Sequence, residues 1–89
     1  MTTTIYTITQ ANFIIKGNDI EYTTCFVVNS YTRKDLAQVK MQFLADRYER
    51  EHYMNTFERE IENANVIKLV TGNYGTTFQI SENTLFEEH

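Results

Sequence analysis

The chain has 89 residues, 42% of them apolar and 13% aromatic, with a net charge of −4. That composition fits one small folded domain. It excludes a disordered segment, which would be poor in aromatics, and opposes non-specific attraction to nucleic acid or anionic membranes. Cys25 is the only cysteine, so no internal disulfide forms, and Pro and Trp are absent.

Residues 3–16, "TTIYTITQANFIIK", are rich in β-branched and aromatic types. Tyr6 and Ile8 share one parity, and Ala11, Phe13 and Ile15 the other, which predicts a long strand with a bulge or bend near Gln10. "KGND" supplies a turn, and "IEYTTCFVVN" resumes the strand pattern with Ile20, Tyr22, Phe26 and Val28 on one face. In this run Cys25 reads as a buried small residue.

The period then changes. Thr32 and Asp35 resemble a capping box, and a helix is expected from about Arg33 to about His52. Leu36, Val39 and Phe43 make one apolar stripe; Ala37, Met41, Leu44 and Tyr48 make the next. Both are expected to lie on a sheet, leaving Asp35, Gln38, Gln42, Asp46 and Glu49 wet. A kink or break is expected at Tyr53–Asn55, where "NTFE" is a second capping signal with Asn55 as N-cap of a short helix running to about Asn63; the alternative is a first helix that continues without a break.

"VIKLV" and "TTFQI" read as strands around the turn "TGNYG", and Ser81 as the cap of a final turn. The expected order is β-β-α-α-β-β: an α+β domain in which two hairpins form an antiparallel four-stranded sheet with helices on one face. The other face is then wet and Thr-rich, with Thr7, Thr9, Thr23 and Thr77.

The residues that bear chemistry are sparse. His52 and His89 are the only histidines, and Glu49, Glu51 and His52 lack ligand spacing on one helical face. No phosphate-binding glycine loop is present. The expectation is a non-enzymatic protein without metal or cofactor. The start "MTTTIYTIT" lacks the basic and apolar regions of a secretory signal, and no window is apolar enough for a membrane span, so a cytoplasmic location is expected.

Two surfaces are candidates for binding. A basic edge of Arg33, Lys40 and Arg47, spaced every seven residues, could meet phosphates, but interleaved acids make nucleic acid the lesser expectation. The other surface is for protein: Asn73 and Tyr74 on the turn, with Asp35, Asp46 and Glu49 on the acidic helix face. Gly72, Asn73 and Gly75 supply the turn geometry and none of it requires Tyr, so Tyr74 is expected either to fold back over Val70 or Thr77 or, if its ring stands exposed, to serve as an anchor. A homodimer through exposed sheet edges is a third arrangement.

In size, acidity, aromatic-rich hairpin layout and lack of a catalytic constellation, the whole chain resembles a class of small phage-encoded inhibitors, anti-CRISPR and other anti-defence proteins among them. The resemblance implies stoichiometric binding that blocks a host protein or ribonucleoprotein complex. It carries over no individual residue.

Overall fold

The structure, a computed structural model, describes residues 2–52 and 54–86. Five strands and one helix follow in the order β1 (Thr2–Lys16), β2 (Asp19–Tyr31), α1 (Lys34–Glu51), β3 (Glu58–Asn63), β4 (Val66–Thr71) and β5 (Tyr74–Phe86). All pairings are antiparallel, and the strands lie in the order β2-β1-β5-β4-β3. The α+β expectation of four strands and two helices is therefore corrected to a five-stranded sheet crossed by a single helix.

Two segments account for the difference. Residues 58–63, expected as a helix capped by Asn55, form the edge strand β3. The apolar positions Phe57, Ile61 and Ala64 fit a helical stripe, but Phe57 and Ile61, four residues apart, also share one face of an extended chain. Pairing of Arg59 with Leu69 and Ile61 with Ile67 decides for the strand. The run from Ser81, expected as a capped turn, continues β5, because the 15-residue β1 needs a partner of matching length: Thr2 pairs with Phe86 and Ile14 with Tyr74. The expected cap of α1 is also absent. Arg33 is the N-cap residue without a side-chain cap bond, and Asp35 is held by the Arg33 guanidinium instead. His89 and part of the expected break at residues 53–55 lie outside the described residues.

The parity change in β1 has a different cause from the bulge expected. Its register with β5 runs unbroken from Thr2 to Ile14, and the register shifts against β2 fall beside Val28 and Thr23 of β2. β1 instead buries side chains on both faces of the sheet. Ile8 joins the core beneath the helix with Ala37, Met41, Ala45, Ile67, Leu69, Phe78 and Ile80. Phe13 is buried on the other face, its ring edge-on to Tyr22 at 5.9 Å and beneath the Lys68 ammonium at 5.3 Å. That face is thus only partly the wet, Thr-rich surface expected: Thr7, Thr9 and Thr77 are half-buried and Thr23 is exposed. Cys25, expected in the core, is exposed on β2.

Candidate functional site

The roll of α1 about its own axis decides which residues the molecule displays. Ala37, Met41 and Ala45 face the sheet directly, with Leu44 and Tyr48 half-buried beside them. The small Ala37 and Ala45 let the helix backbone come close to the strands. Three polar contacts accompany this roll. Gln38 donates to the Asn65 side chain at 3.2 Å. Arg59, reaching up from the edge strand β3, bonds Asp46 at 2.7 Å and lies 3.3 Å from Glu49. The flank expected to be wet is thereby drawn toward β3 and β4.

That roll turns the other apolar stripe outward. Leu36, Val39 and Phe43 are 37%, 62% and 56% exposed, although the sequence pattern predicts their burial. They sit at positions i, i+3 and i+7, so they share one side of the helix. Lys40 and Arg50 stand exposed near this strip, and neither forms an ion pair among the described residues.

The charged candidates are largely engaged with one another. Asp35 is paired with Arg33, whose hydrogen bonds hold the Asp35 carboxyl below its ordinary range. Asp46 and Glu49 share Arg59, and the Asp46 hydrogen bond is the main cause that raises the Arg59 guanidinium further above its ordinary value. Arg47 bonds Glu51 one turn along the helix at 2.9 Å. Of the basic edge Arg33, Lys40 and Arg47, only Lys40 is without a carboxylate partner among the described residues. The structure does not gather these residues into one charged site.

Tyr74 opens β5 rather than standing at the tip of the turn. Its hydroxyl accepts a hydrogen bond from the Asn55 side-chain amide at 2.7 Å, and its half-buried ring meets Phe57 edge-on at 6.3 Å. Phe57 also packs edge-on to Tyr48 at 5.4 Å, and Tyr48 stacks on His52 at 4.2 Å. The His52 Nδ1 lies 2.9 Å from the Tyr48 carbonyl, which can only accept, so Nδ1 carries the proton. Burial, and then the nearby Tyr74, push the Tyr48 phenol above its ordinary value. Asn73 remains exposed, and its carbonyl accepts from the Ile15 amide at 2.6 Å. Tyr74 and Asn55 therefore tie the β4–β5 turn to the segment that follows the helix.

A shallow cleft of about 260 Å³ lies beside this cluster, lined by Gln10, Leu44, Arg47, Tyr48, Glu51 and His52. Its Arg47 and Glu51 neutralise each other. Among the described residues, no group of three or more His, Cys, Asp or Glu is placed to hold a metal ion, and no helix is long and apolar enough to cross a membrane. The displayed surface that sequence reasoning missed is the outward strip of α1. Its signal was the breadth of the apolar pattern, two stripes where one narrow helix face meets the sheet. No protein-family model, curated protein or solved structure matches the chain.

Proposed function

We propose that the chain is a non-enzymatic protein-binding module that presents the outer strip of α1 to a partner. The observation that carries this reading is the exposure of Leu36, Val39 and Phe43 at i, i+3 and i+7 on a helix whose opposite side is already buried. An amphipathic helix laid into an apolar groove is read through anchors at this spacing. Lys40 and Arg50 beside the strip favour a groove with an acidic rim. In the class of small acidic phage-encoded inhibitors that the chain resembles, such a surface acts by occupancy. It would block a host protein or ribonucleoprotein complex one-to-one in the host cytoplasm, with no bond made or broken.

Val39→Asp and Phe43→Asp test the proposal. Both side chains are more than half exposed, so the folded chain should keep its stability within about 0.5 kcal/mol. Affinity for a partner captured from bacterial lysate should fall by about 2 kcal/mol or more, as when an interface anchor is removed. Capture at equal affinity by the wild type and both variants would remove the strip from the binding surface.

A further inference from the structure

The two edges of the sheet differ in how they are protected. Edge strands expose unpaired backbone N–H and C=O groups, and charged side chains on an edge discourage pairing with another chain. β3 is six residues long and carries Glu58, Arg59, Glu60 and Glu62. β2 is 13 residues long, and its stretch from Tyr22 to Ser30, "YTTCFVVNS", has no charged residue. Nor is this strand covered. Tyr22, Phe26 and Val27 are 61%, 46% and 64% exposed, and of the whole strand only Val28 and Tyr31 are not exposed.

We infer that β2 is the seat of a second copy of this chain, paired antiparallel β2 to β2 about a two-fold axis at Cys25. The register shifts beside Thr23 and Val28 leave Thr24–Val27 as the regular run between them, so the axis falls there. An axis at that point is self-complementary. Asp19 and Glu21 of one copy then lie opposite the uncharged Asn29–Tyr31 end of the other, and no acid faces itself. Val27, Cys25 and Tyr22 stand opposite Thr9, Ala11 and Phe13 of β1 on the helix-free side, so pairing continues that face across the seam. Phe26, opposite Gln10, does the same on the helix side.

The chain also exposes more surface than a compact monomer of its mass. A folded monomer of 10.5 kDa is expected to expose roughly 5,400 Å². This chain exposes 6177 Å². The difference, roughly 750 Å², is shared by β2 and the outer strip of α1, and is of the order of the ~800 Å² that each partner buries in a standard interface.

The test is the mass of the full chain in solution by light scattering after size exclusion. At about 100 µM, where a micromolar dimer is nearly saturated, the wild type should show twice 10.5 kDa. Phe26→Lys brings two ammonium groups together diagonally across the axis, and Val27→Lys puts one on each side of the seam; each should weaken association at least tenfold with an unchanged far-ultraviolet spectrum. Ile61→Lys, on the protected edge, should leave the mass of the dimer as it is. A short bismaleimide should join Cys25 to Cys25 in the wild type and not in Val27→Lys. A wild type that stays monomeric overturns the inference, as does a dimer that both lysine variants leave intact. Val39→Asp, which tests the helix strip, should not alter the mass, so failure of one proposal is distinguishable from failure of the other.

Discussion

Asn55 and Tyr74 show how one polar contact can be mistaken for another in a sequence. An Asn followed three residues later by Glu has the form of a helix cap, and Asn55 is indeed engaged through its side chain. Its partner is the Tyr74 hydroxyl, 19 positions away, rather than a helix amide. Nothing local announces that contact, because it exists only once β3 and β5 lie in one sheet. Replacing Asn55 with Ala should still cost about 1 kcal/mol, the net worth of a typical hydrogen bond. The cost should arise through Tyr74. In a double-mutant cycle with Tyr74→Phe, the two losses should fall short of adding by at least about 0.5 kcal/mol, measured from denaturant midpoints. Full additivity would mean that the contact contributes nothing and that Asn55 acts elsewhere. The same geometry bears on Tyr74 as an anchor for a partner. That role was expected of a ring standing free, and this ring is half-buried against Phe57.

At the scale of elements, the first hairpin, the long helix and the β4–β5 hairpin were legible because each is encoded by its own period and turn residues. β3 was not, because its six residues hold a single apolar side chain, Ile61, which sets no period of its own, and pairing with the neighbour β4 decides. The roll of α1 was also hidden. The contacts that accompany it, Arg59 to Asp46 and Glu49, come from β3, a strand the sequence pattern does not predict. The double-sided burial of β1 left a trace, the parity change between Ile8 and Phe13, but a bulge would leave the same trace. What permits Phe13 to be buried on the side away from the helix is Gly75, which pairs with it across β1 and β5. A Cβ at Gly75 would come within 2.7 Å of the Phe13 ring and would also collide with the Leu69 carbonyl oxygen. Gly75, expected to supply turn geometry, is therefore a packing glycine inside β5; the positive φ of this turn belongs to Gly72 alone. Gly75→Ala should destabilise the fold by about 1–3 kcal/mol, as overpacking does. The Phe13–Tyr22 contact should be disturbed, visible as a changed near-ultraviolet aromatic spectrum. An Ala variant with unchanged stability and spectrum would show that the ring and strand yield at no cost.

The whole molecule is elongated, 51 × 24 × 20 Å, with a radius of gyration of 14.8 Å where a chain of this length would pack to about 12 Å. One helix cannot cover five strands, so much of the sheet and the outer side of the helix remain available for contact. The charge of that surface argues for protein over nucleic acid. The phosphate backbone is recognised by free cations, and each phosphate neutralised adds to affinity and to its salt dependence. Here the net charge is −4, and the periodic basic edge is depleted from within: Arg33 is engaged by Asp35 and Arg47 by Glu51. These pairs are exposed, so each is individually weak, and phosphate could compete for the arginines. The acids would remain beside them all the same, repelling the phosphates that the arginines attract. Binding to generic duplex DNA or single-stranded RNA should therefore be weaker than about 100 µM at physiological salt, at the weak end of non-specific association. Fluorescence anisotropy with labelled oligonucleotides measures it directly. Sub-micromolar binding that disappears in Lys40→Ala plus Arg47→Ala would reverse the conclusion. It would make that edge of α1 a phosphate-binding surface, with Asp35 and Glu51 as counterions displaced on binding.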